Sequence, residues 1–233
     1  MTLPKLIIGV VTDGRTEMTV QCCVSILNLQ TELMKTSMTP GGPPFQADLR
    51  FFKTNNEAVE DLYKDKEFSA LFLINFSMGV NGRFAIKAFE SPNDVVIGVH
   101  PMPTIDWDRV REKITSTTES VQHAGIVYNV SLNGSPDSDG FVTIGKDVQK
   151  IDVMFLRRTV IDDIVANHPS IVSNDGGRLS LLLDGLYDGT FMTGEQRFVS
   201  LYDKPMYTDT AFQCNKAAPA DYVGIVGNRA RLR

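Results

Sequence analysis

Residues 70–76 read Ala-Leu-Phe-Leu-Ile-Asn-Phe. An essentially continuous apolar run of that length is what a strand covered on both faces requires, and it is too short for an ordinary helix. A strand of this kind belongs to a sheet with helices on either side, and its C-terminal end is the functional edge. Working back towards the N-terminus, Asn55 to Tyr63 has helical spacing, with Ala58, Val59 and Leu62 on one side. Asp48 to Phe52 reads as a strand, set off by the stiff linker Pro40-Gly-Gly-Pro-Pro44. Lys5 to Thr12 is a buried first strand stopped by the turn Asp13-Gly14. Thr16 or Thr19 would cap the next helix, whose apolar face is read as Val20, Val24 and Leu27, with Cys23 beside them, through about Leu33.

Downstream of the central run, Arg83 to Glu90 reads as a short helix and Asp94 to Val99 as another strand. His100-Pro-Met-Pro103 then reads as a loop before an acidic helix start at Asp106. The pattern changes after that. Ala124 to Leu132 and Gly140 to Ile144 alternate like antiparallel strands around the turn Asn133 to Asp139. Asp152 to Arg158 is one more strand, Thr159 to Asn167 a helix, and a short helix is expected around Glu195 to Tyr202. The expected fold is α/β: a mixed, mainly parallel sheet flanked by helices, with a small antiparallel part in the second half.

Composition agrees with a single globular domain. The chain has 233 residues, 42% hydrophobic and 22% charged. Its 23 Lys and Arg against 28 Asp and Glu leave a net charge of −5. That balance argues against broad binding to nucleic acid or anionic membrane. The apolar start at Lys5 is too brief for a membrane span and lacks an export pattern, so a cytoplasmic protein is expected. Cys22, Cys23 and Cys214 form no CxxC pair, which supports neither zinc nor a disulfide framework.

Four segments carry a resemblance: Val10 to Leu29, Thr54 to Val110, Asp152 to Pro169, and Thr193 to Tyr202. Their order and spacing resemble GT-A glycosyltransferases of the kind encoded by bacteriophages and large DNA viruses, close to the inverting family-2 type, over nearly the whole chain. The resemblance implies one GT-A, Rossmann-like domain, with a nucleotide-binding half over residues 1–110 and an acceptor-side half over residues 111–233. It places the nucleotide at Thr12, Asp13 and Gly14; a simple capping turn is the plainer account of those three residues. In the Ala-Arg-Asn-like triplet, here Thr54-Asn55-Asn56, the Asn at position 56 is kept.

The departures from the family pattern are chemical. The Asp-x-Asp position holds Asn75-Phe76-Ser77, and without two carboxylates an ordinary Mg²⁺ or Mn²⁺ site is not expected. The Glu-Asp base element is Glu195-Gln196, which leaves Glu195, or nearby Asp188, as candidate base. Tyr222 stands where a metal-binding His would lie, and the terminal Arg229, Arg231 and Arg233 are either a substitute positive charge or a solvated tail. His100 and Trp107 are the acceptor-side candidates; a backbone-bonded loop His and a Trp packed under a loop are the structural alternatives.

The implied activity is transfer of a sugar from a nucleotide-sugar donor to a hydroxyl of a glycan or protein acceptor, without a tightly bound metal. The alternative is an inactive GT-A pseudoenzyme serving as a binding or virion-associated module, in the host cytoplasm or the particle if virus-encoded. Association with a virion or with further copies of the chain is compatible with either reading.

Overall fold

The computed structural model describes residues 5–39, 46–116, 125–145, 148, 150–169, 181–182, 199–200, 205–209, 211 and 214–216. The first half runs β1 (Lys5–Val11), α1 (Val20–Met38), β2 (Gln46–Phe52), α2 (Asn55–Lys64), β3 (Ala70–Asn75), β4 (Met78–Gly79), α3 (Gly82–Glu90) and β5 (Val95–Ile97). Then follow β6 (Pro101–Ile105), α4 (Trp107–Ser116), β7 (Ile126–Tyr128), β8 (Leu132–Asn133), β9 (Phe141–Ile144), β10 (Val153–Arg157) and α5 (Arg158–Asn167). The short strands β11 (Leu181–Leu182), β12 (Val199–Ser200), β13 (Tyr207–Asp209) and β14 (Asn215–Lys216) complete the described elements.

Eight strands form one sheet in the order β2-β1-β3-β10-β5-β13-β9-β8. Six of the eight point the same way, and β10 and β9 run against them. The fold is therefore mixed α/β with a mainly parallel sheet, and antiparallel pairing is concentrated in the second half, as the sequence indicates. β10 enters between β3 and β5, so strands from both halves of the chain share one sheet.

The β3 run explains the layering. All six of its residues are buried. Leu71 and Leu73 face one core, which also receives Val59 and Leu62 of α2 and Ile161 and Ile164 of α5. Phe72 and Ile74 face the other, with Ile26 and Leu29 of α1 and Phe84 of α3. Withdrawing each large side chain from water contributes roughly 1.5–3 kcal/mol, enough to make this strand the spine of the domain. Gly82 lets α3 start directly against α1, because a Cβ there would lie 3.0 Å from the Leu29 backbone.

Three local expectations are corrected. The buried face of α1 is Cys22, Ile26, Leu29 and Leu33, whereas Val20, Val24 and Leu27 face outward. The helix carries two apolar stripes, so periodicity alone does not choose between them. Its rotation is set at the N-cap, where Thr19 donates both its backbone N–H and its hydroxyl to the Phe76 carbonyl, each at 3.0 Å. Second, the loop expected at His100–Pro103 is largely strand: β6 pairs antiparallel with β7. In a two-stranded ribbon a proline can sit where its missing N–H has no partner. Third, Val199 and Ser200 of the expected C-terminal helix form β12, held extended by parallel pairing with Leu181 and Leu182.

Candidate functional site

The chain leaves β1 for β2 on one side and later returns to β3 on the other, so the strand order switches between β1 and β3. In open α/β sheets the crevice outside the carboxyl ends at such a point is where ligands bind. Val11 and Asn75 are register partners there, at the last residues of β1 and β3.

The turn after β1 fits this position. Thr12 donates its N–H and hydroxyl to the Phe52 carbonyl, which ties the turn to the end of β2. Asp13 and Gly14 then take left-handed φ values of 52° and 74°. Asp tolerates that region better than most residues, and Gly does so without strain. Arg15 N–H closes the turn on the Thr12 carbonyl at 2.9 Å. Its guanidinium lies 5.0 Å from the Phe76 ring centre, a cation–π distance at an exposed rim.

Asn75 organises the cluster. Its Nδ2 donates to Asp13 Oδ2 at 2.9 Å. Its Oδ1 accepts from both the Ser77 N–H, at 3.1 Å, and the Ser77 hydroxyl, at 2.8 Å. Thr12, Asp13, Gly14, Asn75 and Ser77 are thus brought to one crevice. The donor set does not fit a divalent cation. Asp13 is the one carboxylate of these five, and the Asn75 oxygen that would be a ligand is already engaged by Ser77. Among the described residues no group of three or more His, Cys, Asp or Glu could hold a metal ion.

Behind this crevice lies a second polar cluster. Because β10 is antiparallel, its N-terminal end arrives at the edge where β3 ends, and Asn75 N–H donates to the Asp152 carbonyl at 2.7 Å. The Asp152 side chain is fully buried between His100 and Lys150. His100 Nε2 lies 3.3 Å from its Oδ2 and Lys150 Nζ 3.0 Å from its Oδ1. The other His100 nitrogen, Nδ1, is 3.2 Å from the Pro101 carbonyl oxygen. Lys150 is partly exposed, so its ammonium faces solvent beside the buried Asp152 carboxylate.

Asn129 completes the support: it accepts the His100 N–H at 2.9 Å and donates to the Gly98 and Lys150 carbonyls. Cys214 packs against the same edge, 2.7 Å from where a Gly98 Cβ would stand. Burial, and then the Asp152 charge, push its thiol up to about 12, so it is an inert packing group.

The remaining predicted residues fall elsewhere. Asn56 is exposed on α2; it is Asn55 that turns inward and donates to the Ile151 carbonyl at 3.1 Å. His100 is completely buried and both its ring nitrogens face acceptors, so it is a support rather than a surface for an acceptor. Trp107 begins α4 and is 60% exposed, so the packed-under-a-loop alternative does not hold for it. Glu195, Tyr222, Asp188 and the terminal arginines Arg229, Arg231 and Arg233 lie outside the described residues. Sequence reading missed Asp152, Lys150 and Asn129. The visible signal was an Asp placed directly before an apolar strand, which is also what an ordinary strand start looks like.

No family model matches the chain, and no curated protein matches it in sequence. Solved structures similar to it include A197 from STIV, 10% identical, covering 93% of this chain and 87% of that one with a TM-score of 0.44. HddC from Yersinia pseudotuberculosis is 11% identical, with 96% and 98% of the two chains covered and a TM-score of 0.38. The same protein complexed with GMP-PN gives 13% identity and a TM-score of 0.35. Likeness at this level adds nothing to the reading of the site. Among the described residues, no helix is long and apolar enough to cross a membrane.

Proposed function

We propose that the crevice between the ends of β1 and β3 binds a nucleotide sugar, and that the protein is a glycosyltransferase working without a tightly bound metal. The observation that carries this reading is the Asp13–Asn75–Ser77 cluster at the switch point, backed by the partly exposed Lys150 ammonium beside Asp152. The base and ribose sit on the Thr12 to Gly14 turn, where backbone and Asp13 supply polar partners. The diphosphate lies towards Asn75, and Lys150 offsets its charge in the role a metal would otherwise fill. The acceptor hydroxyl attacks the anomeric carbon in line, its proton passes to a carboxylate, for which Glu195 is the candidate by resemblance, and the nucleoside diphosphate leaves.

Thermal unfolding of the purified protein with UDP-, GDP- and TDP-linked sugars, with and without Mn²⁺, tests the reading. A ligand held at a hundred times its Kd adds about 2.7 kcal/mol to stability. For a domain of this size that is a rise in Tm of roughly 5–10 °C. The expected result is a rise with one nucleotide class, unaffected by Mn²⁺. No rise with any donor overturns the proposal.

A second reading, a binding module without transfer, is favoured by one observation: every polar atom of the Asn75 side chain is already engaged by Asp13 or Ser77. It predicts the same Tm rise without release of nucleoside diphosphate when acceptors are added.

A further inference from the structure

Helix α1 is apolar on two opposite faces. Its inner face is the Cys22, Ile26, Leu29 and Leu33 stripe already described. On the outer face Val20 is 79% exposed, Val24 47%, Leu27 56%, Met34 59% and Met38 79%. With Thr31, these fall at positions 20, 24, 27, 31, 34 and 38, the alternating four-and-three spacing of a helix–helix seam. Thr31 returns its hydroxyl to the Leu27 carbonyl at 2.8 Å, leaving its methyl group for the seam. Scattered exposed apolar residues need no explanation, but a continuous stripe along one helix marks an interface.

We infer that α1 is the self-association surface of the protein, pairing antiparallel with α1 of a second copy. Three observations select that occupant. The spacing fits a helix, and a two-fold axis passing near Leu29 sets Val20 against Met38, Val24 against Met34 and Leu27 against Thr31 of the other copy. Each small side chain then meets a larger one, so the seam keeps an even width; parallel pairing would set Val on Val and Met on Met. The flanking residues Gln21, Cys23, Asn28, Gln30, Lys35 and Ser37 include one charge, and the axis sets Lys35 beside the neutral Gln21 of the other copy. Identical copies therefore meet without like-charge repulsion. Scaled by exposure, the five apolar side chains offer on the order of 500 Å² per copy, and the polar flanks bring the strip towards the ~800 Å² per partner of a standard interface. The paired helices also align their dipoles head to tail.

Sedimentation equilibrium of the full chain over a wide concentration range is the test. The expected result is a monomer–dimer equilibrium in the wild type, and at least a ~100-fold weaker association in the Leu27→Glu/Met34→Glu variant with unchanged circular dichroism. Orientation is read in a Cys23→Ser background: Val24→Cys with Met34→Cys should oxidise to a covalent dimer, and Val24→Cys alone should not. Thr31→Leu, which adds an apolar group to the seam and leaves the inner face untouched, should tighten association. A wild type that is monomeric throughout, an unaltered dimer in the double Glu variant, or equal cross-linking by Val24→Cys alone overturns the inference. A monomer whose Tm falls with Leu27→Glu would show the strip covered by its own chain and overturns it equally.

Discussion

The two edges of the sheet hold buried charge in different ways. At the edge where the parallel strands begin, Arg157 and Arg158 close β10 and spend their guanidinium groups on helix ends. Arg157 donates to the Phe89 and Ser91 carbonyls at the end of α3, at 2.7 and 2.6 Å. Arg158 donates to the carbonyl of Tyr63 in the last turn of α2 and to those of Asp65 and Phe68 just after it. Nearby, Arg50 is clasped by Asp48, Asp61 and Asp65. At the opposite edge the charged and polar groups are arranged around a crevice, with Asp13, Ser77 and Lys150 reaching partly or fully into solvent. One edge is closed by long side chains that satisfy helix carbonyls. The other is built mainly from short ones, Asp13, Asn75 and Ser77, that hold each other in place.

The contrast can be broken from both sides. The largest effect is expected for Asp152→Ala, which leaves Lys150 without its buried counter-charge and His100 without its neighbouring carboxylate; unfolding in urea should show a loss of about 3–5 kcal/mol. Arg158→Met should cost about 2–3 kcal/mol in the same assay, because it deprives carbonyls after α2 of a partner, while any ligand-induced rise in Tm persists. If Arg158→Met abolished ligand binding and Asp152→Ala did not, the division between the edges would be wrong.

A third substitution sharpens the chemistry. Asn75→Asp sets a second carboxylate against Asp13, which should cost about 1–2 kcal/mol at neutral pH. Mn²⁺ should then raise the Tm of this variant and leave that of the wild type unchanged, as read by scanning calorimetry.

The smallest expected effect concerns pH. The hydrogen bond from Arg50 holds the Asp65 carboxyl below its ordinary range, outweighing partial burial. Because the folded value is depressed, the stabilisation is complete above the unfolded value near ~4 and fades as pH falls through the folded one. The stability gap between wild type and Arg50→Met should therefore be constant near neutrality and narrow below that point, as followed by chemical denaturation across the acid limb.

Much of the fold could be read from residues 5–105. ALFLINF could only be a doubly covered strand, and Asp13-Gly14 could only be a turn. The helix read over Asn55 to Tyr63 is α2, and Thr54, which the sequence reading did not single out as its cap, accepts the Glu57 N–H at 3.2 Å. What could not be read was choice among equivalent patterns. Helix α1 offered two stripes and the structure buried the one led by Cys22. Residues 55 and 56 are both Asn, and the helix turns the first inward.

The sequence by itself determined that this chain folds as an α/β layer structure, where its first turn falls, and that Asn75 and Ser77 bring no charge to the end of β3. These are local facts, set by period, turn chemistry and residue type. Only the tertiary structure decided that β10 runs backwards between β3 and β5, and that reversal is what carries Asp152 and Lys150 to the crevice edge, where His100 already stands at the end of β5. Strand direction and partner depend on packing over the whole sheet, and an isolated apolar run looks the same in either direction.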